Sequence, residues 1–393
     1  MAATLQAQIA HVAKHAAPMA PRPNGVDDTE TIEWASAKRV PLRPGAVYVY
    51  KGRGIDSPHP YIVGSDTVII NQSSSGYVID SNQMWEQLDV HNVQVDGGHG
   101  AIRNRFTGGN VTGKHRVTGC RFRLFTKCAI SHNSMDMPYW EIHGNEFRAA
   151  TDVGTIGVAL SGMTDHCHIT GNAFLNEQYS IKLAPQTVDG DERCPANTMI
   201  ELNDFIHFSG GGVQKRANIW LVPKGVTLPK DDAWRANVDA HSGHVISRNK
   251  YGGENQQVHD VRMLIAAEDP ATGADAGTKL PALAPTYGFV NGIVFEHNNI
   301  GGMAEDVEHV VECWTPNLVS SIFGHNQFSG SFPDEFLHFS GDAPTQLAEV
   351  TIGPFTRQRN SAAQTMKAAN VGLEHLWVET RNKTDPANMW PVG

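Results

Sequence analysis

The sequence is poor in charge, in cysteine and in long apolar runs. Of 393 residues only 18% are Asp, Glu, Lys or Arg, and the formal net charge is −10. No dense run of Lys or Arg occurs, and a negative chain disfavours non-specific contact with polyphosphate, so no nucleic-acid partner is expected. The five cysteines (Cys120, Cys128, Cys167, Cys194 and Cys313) are scattered, without a Cys-x-x-Cys pair. An odd count without framework spacing reads as buried free thiols, not a disulfide scaffold. Nothing approaches about 18 consecutive apolar residues, so no helix crosses a membrane and no membrane partner is expected. The glycine runs Gly97-Gly98 and Gly210-Gly211-Gly212 are not followed by the Lys-Ser/Thr of a phosphate loop and read as turns. The stretch Met1 to Pro21 is Ala-rich but broken by His11, Lys14 and His15. It lacks both the basic start and the apolar core of a secretory signal, and reads as an attachment arm.

Against these absences stands one short pattern: an apolar residue, two variable residues, an Asn, one variable residue, a bulky apolar residue. It occurs around Asn145, Asn172, Asn203, Asn249, Asn298 and Asn326, with a seventh copy centred on Cys120. The steps between the central residues are 25, 27, 31, 46, 49 and 28. A repeat with a floor in the mid-twenties and occasional long insertions is the mark of a solenoid. Three residues before the centre stand Val117, Ile142, Ile169, Ile200, Ile246, Phe295 and Phe323. Two residues after it stand Phe122, Phe147, Phe174, Phe205, Tyr251, Ile300 and Phe328. These are strand formers. Asn tolerates the left-handed conformation, so the pattern reads as strand, Asn bend, strand. One coil cannot bury its own apolar face, but stacked coils can. The expected fold is all-β, a right-handed parallel β-helix with an internal Asn ladder and an internal aromatic stack, its coils about 4.8 Å apart.

The pattern divides the chain into residues 1–23 as an arm, 24–115 as a capping helix with the first coils, 116–355 as the regular β-helix, and 356–393 as a C-terminal cap or subunit contact. A helix is expected after Asp27-Asp28, with Asp27 and Glu30 as a capping box, then a strand at Ala46 to Tyr50. Strand-like pieces follow at Thr67 to Ile70, Tyr77 to Asp80 and Leu88 to Val95. In the tail, Gln358 to Asn370 reads as a helix.

The opening Asn24-Gly25-Val26-Asp27-Asp28-Thr29-x-x-Ile32, followed by a helix and then Gly45-x-Val47-Tyr48, resembles the start of pectate-lyase-like β-helix proteins. Their usual form is Asp-Gly-x-x-Asp-Asp-Thr before a helix that caps the solenoid; here Asn24 replaces the first Asp and one residue fewer precedes Asp27. The resemblance covers this motif and the repeat region. That superfamily includes pectate lyases, polygalacturonases, other polysaccharide lyases and bacteriophage tailspikes, and the spikes are commonly homotrimers.

After each Asn bend a second strand is expected, at Gly157 to Leu160, Ser180 to Leu183, Asn218 to Val222, Arg262 to Ala266, Glu308 to Glu312 and Phe336 to Phe339. Alternation turns Ile181 and Leu183 inward and Lys182, Trp220 and His338 outward. Three consecutive coils then carry insertions, Pro185 to Asn197, Pro223 to Ser242 and Glu268 to Val290, which must emerge side by side. Their acids Asp191, Asp231, Asp232, Glu268 and Asp269 form the pool from which a glycosidase would draw its two carboxylates. For a lyase, the group removing the proton next to a sugar carboxylate would come from Lys182, Arg193 or His338. Trp220 and Trp234 are expected as platforms on which sugar rings stack. His166 and His168 share a face, yet no third ligand stands at diagnostic spacing, so neither a metal nor another cofactor is expected.

The combined expectation is a tailspike-like virion protein of a phage that binds, and depolymerises, a bacterial surface polysaccharide. Other virion proteins would be partners through the N-terminal arm. Two alternatives remain: a cellular, extracellular polysaccharide lyase or hydrolase of the pectin-degrading type, and a non-catalytic structural or adhesive β-helix.

Overall fold

The computed structural model describes residues 18–106, 113–133, 139–151, 154–188, 191–206, 216–226, 242–252, 260–266, 287–303, 309–313, 317–330, 335–339, 345–353, 356–357, 364–367 and 371–378. Each coil of the regular region supplies two short strands on either side of the repeat centre, such as Tyr139–His143 and Glu146–Ala149, and a third, such as Ile156–Ser161, on a separate sheet. Strands of successive coils pair in parallel. Ile142, Ile169, Ile200, Ile246, Phe295 and Phe323 follow one another in register. So do Phe147, Phe174, Phe205, Tyr251, Ile300 and Phe328. Among the described residues the opposite sheet has ten parallel strands, from Ile79–Ser81 to Gln364–Lys367. The chain is the expected right-handed parallel β-helix, the hand that parallel crossovers adopt.

The interior is a stack of rings. Phe147 and Phe174 lie 4.7 Å apart with planes 5° from parallel, and the series continues through Phe205 and Tyr251 at 5.2 and 4.9 Å. Full burial of each such side chain contributes about 1.5–3 kcal/mol. Opposite the stack, Ile130, Val158, Ile181, Ile219, Met263, Val311 and Leu337 fill the same core from the second sheet.

The Asn residues form the ladder, but they are not the left-handed residues of the bend. That conformation falls one position earlier, on Gly119, Gly144 and Gly171, then on Leu202 (φ 57), Arg248 (φ 56), His297 (φ 57) and His325 (φ 52). The preceding residue turns the chain, and the buried Asn side chain satisfies backbone groups that the turn leaves without sheet partners.

At the N-terminal end the helix Thr29–Lys38 buries Ile32 and Ala35 in the main core. The expected capping box is absent. Asp28 occupies the N-cap and turns its carboxylate to the backbone N–H groups of Asn24 (2.6 Å), Gly25 (3.3 Å) and Val49 (2.9 Å), while Asp27 accepts from Thr29 N–H. The acidic pair therefore ties the opening turn to the first strand, Val47–Tyr50. Of the arm, residues 1–17 lie outside the described residues; Ala20 is buried and its N–H donates to the Pro41 carbonyl.

The tail differs from expectation. Gln364–Lys367, inside the stretch read as a helix, is a strand on the second sheet, and Val371–Val378 pairs in parallel with Thr345–Ile352. No Asn occurs between Asn326 and Asn360, so the signal stops while the strands continue.

Candidate functional site

The second-sheet strands Tyr179–Ala184, Arg216–Leu221 and Asp260–Ile265 are neighbours, so the three insertions leave from adjacent positions on one edge. The first begins as an antiparallel hairpin, Gln186–Val188 with Asp191–Arg193. The second starts with Lys224–Val226, which pairs antiparallel with Tyr287–Asn291 at the end of the third; Val226 stands opposite Tyr287. The start of the second insertion, which carries Asp231, Asp232 and Trp234, is thus tied to the end of the third, which carries Glu268 and Asp269. Those five residues themselves lie outside the described residues. Asp191 is placed by its backbone in the hairpin. Arg193, half-buried, donates to the Met163 sulfur at 3.0 Å, which seats the hairpin on the preceding coil.

Register brings Lys182, Trp220, Leu264, Glu312 and His338 into one row on the outer face of the second sheet. That face is covered at Lys182, Trp220, Leu264 and Glu312. Lys182 is 7% exposed and Trp220 3%. Trp220 is therefore no open sugar platform. Tyr179 lies 4.6 Å from its ring, the Lys182 ammonium sits 4.5 Å from the ring centre, and its N–H donates to the Ala266 carbonyl. Together with Cys128, Ile156, Ala217, Val261 and Leu264 it builds a second apolar cluster. Burial pushes the Cys128 thiol up to about 12, against the pull of the Lys182 charge. Alternation assigns a residue to a face; it does not say whether the face is wet. Lys182 as a solvent-facing base is corrected on the same ground.

Next to this edge, where the insertions feed into the first sheet, polar side chains gather on its outer surface, Lys114 exposed and Arg116, Tyr139, Glu141 and His168 half-buried. Lys114 stands opposite Tyr139, and Arg116, Glu141 and His168 lie in register across three coils. The Tyr139 hydroxyl is 3.3 Å from His168 Nδ1, with the rings edge to face at 5.3 Å. The Lys114 ammonium lies 5.2 Å from the Tyr139 ring centre, and Arg116 Nε is 3.5 Å from a Glu141 oxygen. One coil further, the base of the first insertion is fixed to the same region: Asn197 donates to Asp165 at 2.7 Å, and His166 Nδ1 is 3.0 Å from the other Asp165 oxygen. The two histidines of the His166-Cys167-His168 run therefore serve different partners, and Cys167 between them is buried. Among the described residues no group of three or more His, Cys, Asp or Glu is arranged to hold a metal.

Sequence reasoning passed over this patch. No role was assigned there to Lys114, Arg116, Tyr139 or Glu141. The information was present in the 27-residue step from Asn145 to Asn172, which by itself aligns Glu141 with His168.

No family model matches the sequence, and no curated protein matches it. Among solved structures the chain is similar to a mutant tailspike of E. coli bacteriophage HK620 in complex with a pentasaccharide, at 11% identity over 84% of this chain and 68% of that one, TM-score 0.44. It is similar to the A-module of the Azotobacter vinelandii mannuronan C-5 epimerase AlgE4, at 10% identity over 89% and 98%, TM-score 0.47. It is also similar to the Streptococcus pneumoniae surface protein and adhesin PfbA, at 12% identity over 91% and 97%, TM-score 0.46.

Proposed function

We propose that this chain binds an acidic bacterial surface polysaccharide along the outer face of its first sheet, beside the insertion edge, and cleaves it. The observation that supports this is the patch of Lys114, Arg116, Tyr139, Glu141 and His168. It combines two cations for a sugar carboxylate, an aromatic ring for stacking, and a phenol and an imidazole within hydrogen-bond reach of each other. Such a set suits elimination at a uronate. The proton next to the carboxylate passes to the Tyr139–His168 pair, the bond from the neighbouring ring carbon to the glycosidic oxygen breaks, that oxygen leaves with a proton, and a ring double bond forms. Lys114 and Arg116 offset the charge that gathers on the carboxylate.

Hydrolysis is the second reading, favoured by the pairing of Val226 with Tyr287, which ties the start of the second acid-bearing insertion to the end of the third. Two of Asp191, Asp231, Asp232, Glu268 and Asp269 would then act across the glycosidic bond.

The setting of the proposal is a tailspike-like particle protein, attached to other virion proteins by its N-terminal arm and assembled as a homotrimer. An outward row supports association. Met199, Val245, Val294 and Ile322 follow one another in register on the first sheet, and Ile322 is 40% exposed.

The test is digestion of a panel of capsule, lipopolysaccharide and uronate polymers, following unsaturated-uronate absorbance and reducing ends together. Absorbance that falls roughly 100-fold or more in Tyr139→Phe and His168→Ala is the expected result. New reducing ends without absorbance would move the chemistry to the insertion acids. Binding without cleavage would leave an adhesive spike, and the absence of both would sink the proposal for that panel.

A further inference from the structure

From Gly97 to Asn133 the sequence holds seven Lys or Arg and no Asp or Glu, in a chain whose formal net charge is −10. Four of the seven point outward from one coil: Lys114 and Arg116 on Lys114–Thr118, Arg121 and Arg123 on Arg121–Phe125. Lys114 and Arg116 belong to the patch described above. Arg121 and Arg123 stand across the bend from them, and exposed Arg148 of the next coil is in register with Arg123. This arginine face is only loosely tied to the protein. Arg39, Arg103 and Arg105 are bonded to Asp89 or Asp80 at 2.7–3.0 Å. Glu146, by contrast, lies 4.0 Å from Arg121 and 3.9 Å from Arg123, and the Asp96 carboxylate accepts from Gln94.

Between the patch and the arginine face the bend carries no side chain. Its left-handed position is Gly119, Gly144 and Gly171 in three successive coils. Later coils place Leu202, Arg248, His297 and His325 there at φ 52–57, all exposed, so this bend accepts side chains and its backbone does not demand glycine. Packing does not demand it at Gly144 either, where an added Cβ would meet nothing within 4 Å. The three glycines form a saddle with a wall at each end, exposed Asn92 on one side and Leu202, 61% exposed, on the other. Four coil steps separate the walls, about 19 Å at ordinary strand spacing. Thr118, His143 and Thr170 line the near slope in register, with His143 Nδ1 3.0 Å from the Thr170 hydroxyl. Beyond the Leu202 wall, Glu201 and Asp204 replace the cations on the two sides of the bend.

We propose that an anionic polysaccharide crosses this saddle, so that it lies across the coils and its charged groups are held on the far side by Arg121, Arg123 and Arg148. The inference rests on the reading of the Lys114–His168 patch as a glycan-binding face and adds the direction of the bound chain and a second anion site. Guanidinium groups suit the sugar's carboxylate, sulfate or phosphate oxygens, which they can grip with two parallel hydrogen bonds. The hydroxyls and imidazole on the slope suit neutral sugar hydroxyls between the charges. Glu201 and Asp204 repel the same polymer from the next coil and keep it on the saddle.

Binding of polygalacturonate, dextran sulfate and neutral dextran to the full chain tests this, at low and high salt. Arg121→Ser with Arg123→Ser is expected to weaken both polyanions by about tenfold at low salt and by less at high salt. Arg248→Ser with Lys250→Ser removes the same charge from a later coil and should leave binding unchanged. Gly144→Leu copies the Leu202 wall onto the saddle, and Gly144→Asn does so with a residue at ease at positive φ, as at Asn92. Both should weaken polygalacturonate binding, with at least one melting close to the parent. Equal losses from the two double variants would overturn the inference, since net charge alone would then draw the polymer. Full binding in a folded Gly144 variant would overturn the crossing, and dextran bound as well as the polyanions would overturn the anion site. A parent that binds no polymer would sink this inference and the proposed function together. Cleavage that is lost in Tyr139→Phe while the arginine pair has no effect would sink this inference alone.

Discussion

Asn172 receives two hydrogen bonds on one side-chain oxygen from Asn145, from its backbone N–H at 2.9 Å and from its side-chain amide at 3.0 Å. The Asn172 amide in turn donates to the Ile142 carbonyl and to the Asn203 oxygen. The same arrangement recurs to Asn326. All of these groups are buried, so a gap in the middle leaves several of them without partners. Asn172→Ala is expected to destabilise the chain by roughly 3 kcal/mol or more, at about 1–3 kcal/mol per orphaned group. Denaturant unfolding checks this; a cost under about 1 kcal/mol would mean that water enters the ladder.

The ladder ends at Cys120, whose N–H donates to Asn145 Oδ1 at 2.8 Å and whose thiol lies 3.5 Å from the Val90 carbonyl. The Val90 carbonyl is where a further Asn amide would donate. Cys120→Asn is expected to extend the ladder by one rung and to raise stability by about 1 kcal/mol, the net value of one added buried hydrogen bond. Loss of stability would show that the coil before it is too tight for the larger side chain.

How much of this could be read from sequence depended on whether the signal was periodic. Asn145 through Asn326, with their flanking strand formers, announced the coils, the ladder and the aromatic stack, because stacking repeats the same demand in every turn. The left-handed position was misassigned because Asn and the residue before it travel together, and Leu202 and Arg248 are types that give no hint of a positive φ. Trp220 was placed on the correct face, but Tyr179, Lys182 and Ala266 of the neighbouring coils enclose it there. The Tyr139–His168 pair was missed because it joins two coils, and its residues become neighbours only once the register is applied.

Trp220 separates a packing role from a binding role. Its ring contacts both Tyr179 and the Lys182 ammonium on the preceding coil, and its N–H donates to the Ala266 carbonyl. Trp220→Ala is expected to cost about 3–5 kcal/mol of stability, as for other buried tryptophans. Trp220→Phe, which keeps most of the packing, is expected to leave polymer affinity within about twofold. A stable Trp220→Ala protein with lost affinity would restore the platform reading.

The outer patch should behave in the opposite way. Arg116 and Glu141 are each more than a third exposed at 3.5 Å, a pair that contributes at most about 1 kcal/mol. Arg116→Ala is therefore expected to leave the melting temperature nearly unchanged. If an acidic polymer lies on this face, the same substitution weakens binding several-fold at low salt and less at high salt, since exposed charges are screened. Equal affinities at both ionic strengths would argue for a neutral glycan.

Glu177 supplies a pH test. It is fully buried in the turn before Tyr179; one carboxyl oxygen accepts from the Leu175 N–H at 3.2 Å, and the other has no partner among the described residues. Burial raises its pKa from 4.5 to about 8. Between those two values the native protein holds a proton that the unfolded chain has released. Stability therefore falls as pH rises from about 4.5 and levels off above about 8, with a total effect on the order of a few kcal/mol. Glu177→Gln keeps the shape and removes the titration, so it should match the parent near pH 5, exceed it near pH 9, and flatten the dependence between. Denaturant midpoints of both proteins at pH 5, 7 and 9 decide the matter. Parallel curves would mean that the carboxylate finds a partner when it ionises, and that burial is not what governs this group.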